Sequence, residues 1–549
     1  MTNRHYWLLI AALLAGCAQV PVETAAPAVK PPKLVVFIAI DGLPMRQVMN
    51  ERAHFAPDGF RRFLDQGAWY SEAHYSHGYT VTAAGHSVML TGASPWRSGV
   101  IGNEWRDPLT NAEVYCTGDA DYHYIGAKTA PLAGTSPGNL KAETVGDVLR
   151  RLHPESKVIA ISGKDRGAIL PGGHAGTAYM YMSETGHFAS STYYEAQHPQ
   201  WVEAFNASGA ADKYFGKTWS LLLPESAYAG SAPFDQPWQA DAGNGKHLPA
   251  VVNGGLSAPG PKFYAALLPS PFGDALTLDF ARAAIAGEQL GAGKDRTDIL
   301  AISLSSHDYI NHPFGPESRM SQDHLLWLDQ HLQAFFRDLD QRIGKDNYIL
   351  MLTADHGFAD TPEWSRQQGR DAGRVPLSAI SKAMEDALQT RFGAGPWVRS
   401  MSSSGYLFNE ALIRERGLKS DDIYAVAQAA VKLVPGIADA FTRAQLAGSD
   451  MSNPYLVAMR KSWDPERAAP LQVIVKPYWL ATGRAQGSSH GTPYEYDNHV
   501  PLLAWGAAWF GKGEVREPVA VVDIAPTLAR ILKLPAPAQS EGQPLPLPR

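Results

Sequence analysis

Short apolar runs alternate with amphipathic segments along most of the chain. The runs are rich in Val, Ile and Leu, and they have the length of buried strands rather than of helices. This alternation predicts an α/β fold with a mostly parallel sheet sandwiched by helices. The predicted strands are residues 34–40, 157–162, 299–304, 348–353 and 500–505, and the clearest predicted helices are 276–290, 322–342 and 421–433.

The helix predicted at 322–342 has the strongest periodicity. Its leucines and phenylalanine recur at helical spacing and form one apolar stripe. It also carries His324 and His331. We interpret both as ordinary helix residues rather than metal ligands, because a lone histidine on a helix is more often structural.

Two stretches lack clean periodicity. Residues 172–270 are rich in Gly, Ala, Ser, Pro, Tyr and Trp, and a second irregular stretch covers roughly 362–485. We interpret both as insertions that cap the carboxyl-terminal edge of the sheet, within a single catalytic domain of residues 33–534. The tail, 535–549, is proline-rich, and we expect it to be loosely held.

Three predicted strands deliver an acidic residue at or just past their carboxyl-terminal ends. Asp41 directly follows 34–40, Asp308 lies just beyond 299–304, and Asp355 lies just beyond 348–353. That edge of an open α/β sheet is where ligands and metals bind. Three histidines accompany these acids, and carboxylate with imidazole suits Zn²⁺. The histidines are His312, His356 and His490.

A threonine at the start of a predicted helix supplies a candidate nucleophile. The segment from Gly78 to Gly92 has small residues after Thr82, which would let a helix begin close to a ligand. A helix N-terminus favours a bound anion, and a metal-bound hydroxyl there would make a two-metal hydrolase site. Thr80 is a rival on chemistry alone, and either threonine could merely cap the helix.

These motifs together resemble the alkaline phosphatase superfamily, and within it the threonine-nucleophile, PafA-like bacterial branch. The resemblance extends over about residues 33–534. It rests on Asp41-Gly42, Thr82-Ala-Ala-Gly-His86, Gly102-Asn103-Glu-Trp105, Ser162-Gly-Lys164-Asp-Arg166-Gly167, Asp308-Tyr-Ile-Asn-His312, Ala354-Asp355-His356-Gly357 and Ser489-His490-Gly491.

The resemblance implies roles for these residues. It selects Thr82 over Thr80 as the nucleophile and implies two Zn²⁺ ions. One ion would be held by Asp308, His312 and His490. The other would be held by Asp41, Asp355, His356 and the Thr82 oxygen. Asn103, Lys164 and Arg166 would contact the transferring phosphoryl group.

Lys164 and Arg166 bear on the substrate class. A phosphate monoester dianion carries more charge on its non-bridging oxygens than a diester does, and Arg and Lys meet such charge. The diesterase relatives lack this pair. Sulfatase relatives place a Cys or Ser where this chain has Thr82, and Thr cannot form their formylglycine, so sulfatase chemistry is disfavoured.

The sequence therefore predicts a two-zinc phosphate monoesterase that acts on small molecules through a phosphothreonine intermediate at Thr82. A phosphodiesterase or phosphonate-type hydrolase on the same site is the nearer alternative. A non-catalytic zinc-binding lipoprotein is the more distant one, and it would need neither Thr82 nor the Lys164 and Arg166 pair.

The N-terminus is typical of an export signal. Arg4 precedes a short apolar stretch that ends in Leu14-Ala-Gly-Cys17, which resembles a bacterial lipobox. We expect a lipoprotein signal peptide over 1–17, a lipid anchor on Cys17 in the outer membrane facing the periplasm, and a tether over 18–32. The alternative is a plain secretory signal cleaved nearby. With Cys17 lipidated, Cys116 has no disulfide partner.

The charge and hydropathy of the chain limit the classes of partner that it is expected to bind. The chain has 48 Lys and Arg against 54 Asp and Glu, a net charge of −6, and no basic block. Nucleic-acid binding therefore has little electrostatic support. No other apolar stretch is long enough to span a bilayer, so we expect membrane contact only through the lipid on Cys17.

Overall fold

The most apolar runs of the sequence form the middle of a nine-stranded sheet. In order across the sheet, the strands are Gly513–Val515, Ala68–Tyr70, Leu502–Trp505, Tyr348–Thr353, Leu34–Ile40, Asp298–Leu304, Val158–Ser162, Thr177–Met182 and His187–Ala189. The five strands from Tyr348–Thr353 to Thr177–Met182 are mutually parallel. This confirms the predicted mostly parallel α/β sheet.

This computed structural model describes residues 29–548. By its internal contacts the chain divides into Met1–Lys30 and Pro31–Arg549, and every element given below lies in the second unit. Within the described residues, no helix is long and apolar enough to cross a membrane. The predicted signal peptide, Cys17 and most of the predicted tether lie outside the described residues.

The central strand is buried along its whole length. All seven residues of Leu34–Ile40 are buried. Successive side chains of a strand point to opposite faces, so both faces of the sheet are covered at this strand. The main helices are Phe60–Gln66, Thr82–Thr91, Val145–Leu152, Asp165–Gly172, Pro271–Gly287, Ser306–Phe314, Arg319–Arg342 and Ile524–Leu532.

Two features of the sheet differ from the prediction. Leu502–Trp505 lies antiparallel to Tyr348–Thr353. Thr177–Met182 and His187–Ala189 belong to the sheet although they fall inside the predicted insertion 172–270. The first of these strands is mostly buried, which removes the alternating pattern that would identify it.

Residues 362–485 contain a second, smaller sheet. Its strands are Val398–Ser402, Gly405–Phe408, Leu471–Val475 and Ile437–Thr442, in that order. Helices Leu377–Phe392 and Ser420–Val431 share a separate hydrophobic cluster with it, in which Met384 and Trp397 are fully buried. Shorter helices in this region are Pro362–Gln367, Glu410–Glu415, Arg443–Ala447 and Pro454–Lys461.

The region that follows the sheet strands and precedes Pro271 is mostly irregular. Its elements are short: Gln200–Ala207, Lys217–Trp219, Ala250–Val252 and Pro261–Leu267. Lys217–Trp219 and Ala250–Val252 pair antiparallel. Trp219 is fully buried, and its indole N–H donates to Asp323 Oδ2 at 2.7 Å, which fixes this region to the Arg319–Arg342 helix.

The proline-rich tail is packed rather than loosely held, so that expectation is wrong. Leu545 is 1% exposed, and its backbone N–H donates to Thr527 Oγ1 at 2.8 Å. The Tyr70 hydroxyl donates to the Pro546 carbonyl at 3.0 Å. Proline fixes the backbone without needing a hydrogen-bonding partner for its nitrogen, so a Pro-rich segment can lie against a folded surface.

Leu545→Ala should therefore lower the free energy of unfolding by about 2–3 kcal/mol, because it leaves a cavity where a buried side chain packs. Leu547→Ala is the matched control: Leu547 is 49% exposed, and its loss should cost less than about 0.5 kcal/mol. Chemical unfolding of both variants measures the difference, and equal stabilities would mean that the tail is not packed as described.

Candidate active site and metal-ligand cluster

Three neighbouring strands bring their acidic residues to one edge of the sheet. Ile40 and Leu304 end their strands side by side, and the Asp41 backbone N–H donates to the Leu304 carbonyl at 2.9 Å. Asp41, Asp308 and Asp355 follow these ends, and each is at most 2% exposed. The parallel register thus places three carboxylates together inside the protein.

One ligand group joins Asp308 with two histidines. Asp308 and His312 are one turn apart on the Ser306–Phe314 helix. Asp308 Oδ1 lies 3.4 Å from His312 Nε2 and 3.6 Å from His490 Nε2. Ligand atoms of all three lie within 4.8 Å of one another, which is close enough to bind a single metal ion.

The second predicted ligand group surrounds His356. His356 Nε2 lies 3.5 Å from Asp41 Oδ1, 3.4 Å from Asp355 Oδ2 and 3.4 Å from Thr82 Oγ1. Asp41, Asp308 and His356 also lie within 4.8 Å of one another. Asp308 therefore stands between the two groups, and the structure brings all seven predicted ligands together.

The backbone fixes the tautomer of each histidine in the cluster. The Nδ1 atoms of His312, His356 and His490 lie 3.1, 2.9 and 2.9 Å from the carbonyls of Ser488, Gly357 and Thr80. A carbonyl only accepts, so each Nδ1 carries the proton and each Nε2 presents a lone pair. Burial lowers the pKa of His356 and of His490, which keeps both imidazoles neutral.

Several buried carboxylate oxygens in the cluster have no hydrogen-bond donor within the described part of the chain. They are Asp41 Oδ1, Asp308 Oδ1 and Asp355 Oδ2. Burying an ionised oxygen without a partner costs several kcal/mol, so such atoms point to a cation. Three Nε2 lone pairs lie beside these carboxylate oxygens. Together the oxygen and nitrogen atoms form a ligand set that suits divalent metal ions.

Thr82 lies at the cluster and Thr80 does not. Thr82 is the first residue of the buried Thr82–Thr91 helix, and Val81 before it is extended, with no side-chain cap. Thr80 Oγ1 instead donates to the Thr492 carbonyl at 2.8 Å, so its hydroxyl is used in the loop that carries His490.

A glycine lets the Thr82 helix approach the metal-ligand segment. A side chain at Gly85 would place its first carbon 2.0 Å from the backbone oxygen of Asp355. Only glycine allows this approach. His86, one residue later, brings Nδ1 within 3.3 Å of Asp355 Oδ2 and Nε2 within 2.8 Å of Ser303 Oγ.

Lys164 places a positive charge in the middle of the carboxylates. Its Nζ lies 2.7 Å from Asp41 Oδ2 and 2.5 Å from Asp308 Oδ2. Burial alone would lower the pKa of Lys164, but the carboxylates of Asp308 and Asp41 raise it above its usual value. The ammonium is therefore charged throughout the physiological range.

Asn103 contacts the first turn of the Thr82 helix, and Arg166 contacts Tyr115. Asn103 Oδ1 accepts from the Ala83 backbone N–H at 2.8 Å. The Asn103 amide nitrogen therefore points away from that N–H and keeps its two hydrogens as donors. Arg166 is in the first turn of the Asp165–Gly172 helix, and its NH1 donates to the Tyr115 hydroxyl at 3.1 Å.

Sequence reasoning assigned no role to three residues that support this site. His86 carries a weak signal, because it is one helical turn from Thr82. Tyr115 and Asp497 carry none: Tyr115 ends the short strand Glu113–Tyr115, and Asp497 lies in the short helix Glu495–Asn498, and neither element has a pattern that marks a site. Asp497 accepts from the Thr492 hydroxyl at 2.6 Å and from its backbone N–H at 2.9 Å, which orders the turn after His490.

Residues 35–499 match the family described as type I phosphodiesterase/nucleotide pyrophosphatase. The chain belongs to this family, part of the alkaline phosphatase superfamily. Since the match includes every predicted ligand and Thr82, the cluster lies wholly within the family's shared region.

Several curated relatives of this superfamily resemble the chain over nearly its full length. It is 32% identical over 549 residues to alkaline phosphatase PafA of Elizabethkingia meningoseptica, with 99% of each chain covered. It is 34% identical over 523 residues to alkaline phosphatase PhoV of Synechococcus elongatus, covering 93% and 92%. It is also 33% identical over 520 residues to a protein of Myroides odoratus named calcium-transporting ATPase, covering 94% of each.

Solved structures of superfamily members share the fold. The wild-type PafA structure matches with a TM-score of 0.86 at 30% identity, covering 94% of this chain and 99% of that one. A PafA variant with one threonine, one asparagine, one lysine and one arginine substituted matches equally well. Murine ectonucleotide pyrophosphatase/phosphodiesterase 5, at 13% identity and a TM-score of 0.50, shares only the fold.

Gly85→Ala should lower the free energy of unfolding by about 1–3 kcal/mol, because the added carbon forces the Thr82 helix away from Asp355. Gly172→Ala is the matched helical control, where the nearest side-chain atom would lie at an ordinary 3.4 Å. Denaturant titration of both variants gives the comparison. Equal stabilities would contradict the close approach of the helix to Asp355.

Proposed function

We propose that this chain is a two-zinc phosphate monoester hydrolase, an alkaline phosphatase that acts through a phosphothreonine intermediate at Thr82. The relatives named alkaline phosphatase and the PafA structure support a phosphatase enzyme. The observation that supports the monoesterase assignment is a pair of neighbouring positive side chains: the Lys164 ammonium lies among the cluster's carboxylates, and the charge of Arg166 is close enough to act on the pKa of Lys164.

Two Zn²⁺ ions would be held by the chain's own residues. Asp308, His312 and His490 would hold one. Asp41, Asp355, His356 and Thr82 Oγ1 would hold the other. When bound, the ions would supply Lewis acidity, which lowers the pKa of a coordinated hydroxyl or water and stabilises negative charge on oxygen. The unpartnered carboxylate oxygens and the oriented Nε2 atoms support this assignment.

Thr82 would attack phosphorus in line with the leaving oxygen. The Thr82 hydroxyl gives up its proton to water, and the Oγ1–P bond forms as the bond from phosphorus to the leaving oxygen breaks. The released alkoxide takes a proton from water, so that one proton passes in total from Thr82 to the departing alcohol. Water then attacks the phosphothreonine, which frees inorganic phosphate and restores the Thr82 hydroxyl. The start of the Thr82–Thr91 helix favours the negative charge of the phosphoryl group throughout.

Three side chains would hold the non-bridging oxygens. The Asn103 amide donates as a neutral group, the Lys164 ammonium supplies a point charge, and the Arg166 guanidinium can contact two oxygens at once. These contacts strengthen as charge builds on the phosphoryl group in the transition state. The same three residue types are substituted, together with a threonine, in the solved PafA variant, which supports the set.

The alternatives are less well supported. A phosphodiesterase or phosphonate hydrolase would gain less from two cations at the phosphoryl oxygens. A non-catalytic zinc-binding protein would need neither Thr82 at the helix start nor Lys164 among the ligands. The proposal is tested by measuring hydrolysis rates for an aryl phosphate, its methyl diester and an aryl sulfate. ATP is tested as a further substrate because one relative is named an ATPase.

The proposal also includes the export signal and the domain boundaries. We expect a lipid anchor on Cys17, a tether over 18–32 and a location at the outer membrane or in the periplasm. A single catalytic domain over 33–534 would carry cap insertions, of which 362–485 forms its own small sheet and hydrophobic cluster. Mass analysis of the mature N-terminus distinguishes a lipidated Cys17 from a plain cleavage.

Thr82→Ala should lower turnover of an aryl phosphate by more than about 1000-fold, because the covalent step loses its nucleophile. Metal analysis should still find close to two zinc equivalents, since the six remaining ligands are intact. Thr80→Ala is the matched control, and its lost hydroxyl bond to the Thr492 carbonyl should cost far less activity. Retention of a tenth of wild-type activity by Thr82→Ala would exclude Thr82 as the nucleophile.

Changing Lys164 and Arg166 together to Ala should reduce kcat/KM for the monoester by about 30- to 1000-fold, or roughly 2–4 kcal/mol. The diester shares the nucleophile and the metals but carries less charge on its non-bridging oxygens, so it should lose much less. The ratio of the two kcat/KM values in wild type and double variant measures the effect. Equal losses would remove the main support for a monoesterase.

A further inference from the structure

Arg166 is held by one tyrosine hydroxyl. Within residues 29–548, the Arg166 guanidinium makes its hydrogen bond to the Tyr115 hydroxyl, at 3.1 Å from NH1. The Arg166 Nε atom is buried and has no hydrogen-bond partner among these residues. A long guanidinium side chain with one contact has its direction set by that contact. The rest of its donors are free for a ligand.

The tyrosine hydroxyl is itself held by a carboxylate. Tyr115 donates to Asp165 Oδ1 at 2.5 Å, and Asp165 is fixed by the backbone N–H groups of Gly134 at 3.1 Å and Arg166 at 2.5 Å. The hydroxyl hydrogen is therefore used on Asp165, which leaves an oxygen lone pair for Arg166. Burial, and then the Asp165 carboxylate, raises the pKa of Tyr115, so the phenol stays neutral.

We infer that Tyr115 is a positioning residue that aims the Arg166 guanidinium at the phosphoryl group, an inference that rests on the proposed function. The guanidinium meets the Tyr115 hydroxyl, and Asp165 contacts that hydroxyl, so the carboxylate orients Arg166 through the tyrosine. A direct carboxylate contact would compete with the substrate's oxygens for the same donors.

The backbone supports the same inference. Tyr115 ends the strand Glu113–Tyr115, which pairs antiparallel with Glu104–Arg106 so that Tyr115 faces Glu104. The Cys116 backbone N–H then donates to the Asn103 carbonyl at 2.9 Å. One end of the hairpin therefore holds Asn103 directly and holds Arg166 through Tyr115. The hairpin thus positions two of the three side chains that are proposed to contact the phosphoryl group.

The chain contains a matched control for this arrangement. Tyr348 donates to Asp340 Oδ1 at 2.6 Å and accepts from Arg62 NH1 at 2.9 Å, so its hydroxyl makes the same two hydrogen bonds as that of Tyr115. Here Arg62 also pairs directly with Asp340, at 2.7 Å from NH2 to Oδ2. Tyr348 begins its strand, whereas the metal-ligand cluster lies past the strand's other end. Tyr348→Phe removes an equivalent hydroxyl away from the site.

The test is a double-mutant cycle with Tyr115→Phe, Arg166→Ala and the double variant, using an aryl phosphate and its methyl diester. Tyr115→Phe should lower kcat/KM for the monoester by about 10-fold, in keeping with the loss of a hydrogen bond to a charged group, and for the diester by less than about 3-fold. In the Arg166→Ala background the same change should have an effect of less than about 2-fold.

Tyr348→Phe should lower the unfolding temperature but leave kcat/KM unchanged, and zinc content should stay at the wild-type level in every variant. Should Tyr115→Phe fail to fold, Asp165→Asn weakens the acceptor of the same hydroxyl and should give the same monoester-selective, Arg166-dependent loss. Equal losses with and without Arg166, or equal losses for both substrates, would overturn the role of Tyr115. A wild-type enzyme without monoesterase activity would overturn the proposed function, and this inference with it.

Discussion

Buried negative charge at the carboxyl-terminal edge of the sheet is the constraint on which the site depends. Asp41, Asp308 and Asp355 are all buried, and burial followed by the Asp355 carboxylate raises the pKa of Asp41. Lys164 supplies one positive charge to three carboxylates, which leaves two negative charges uncompensated. Carboxylates in this setting stay ionised only when further cations are present, so the fold favours the binding of metal ions at this edge.

The backbone around the cluster prepares it for that role. Three histidines use Nδ1 on main-chain carbonyls, so their Nε2 atoms are oriented before any ligand arrives. Gly42, in a left-handed conformation with φ +72°, donates its N–H to Asp355 Oδ1 at 3.0 Å, and Gly85 lets the Thr82 helix approach Asp355. Preorganisation of this kind lowers the cost of binding a charged transition state.

Much of this could be predicted from local sequence, because the decisive signals are local. The run 34–40 followed by Asp41, and 348–353 followed by Asp355 and His356, predicted both strands and the edge at which their acids meet. The choice of Thr82 over Thr80 could not be made from chemistry alone and came from the family resemblance. The structure places the Thr82 hydroxyl 3.4 Å from His356 Nε2, whereas the Thr80 hydroxyl donates to the Thr492 carbonyl.

What could not be predicted depends on contacts between distant parts of the chain. The antiparallel direction of Leu502–Trp505 depends on the path of the chain outside the sheet, and the strand Thr177–Met182 is too thoroughly buried to alternate. Leu545 packs against a distant part of the chain, and Tyr115 contacts Arg166, which lies 51 residues later. No sequence pattern marks either pair of segments as neighbours. Tertiary burial overrides local composition in each case.

The most direct test of this account is the location of bound metal. Crystals of the zinc-loaded protein should give two anomalous-scattering peaks at the zinc absorption edge, one contacted by Asp308, His312 and His490 and the other by Asp41, Asp355 and His356. Typical Zn–N and Zn–O distances of about 2.0–2.2 Å should accompany both peaks. A single peak, or peaks away from the carboxyl-terminal edge of the sheet, would contradict the claim that buried charge at this edge builds a two-metal site.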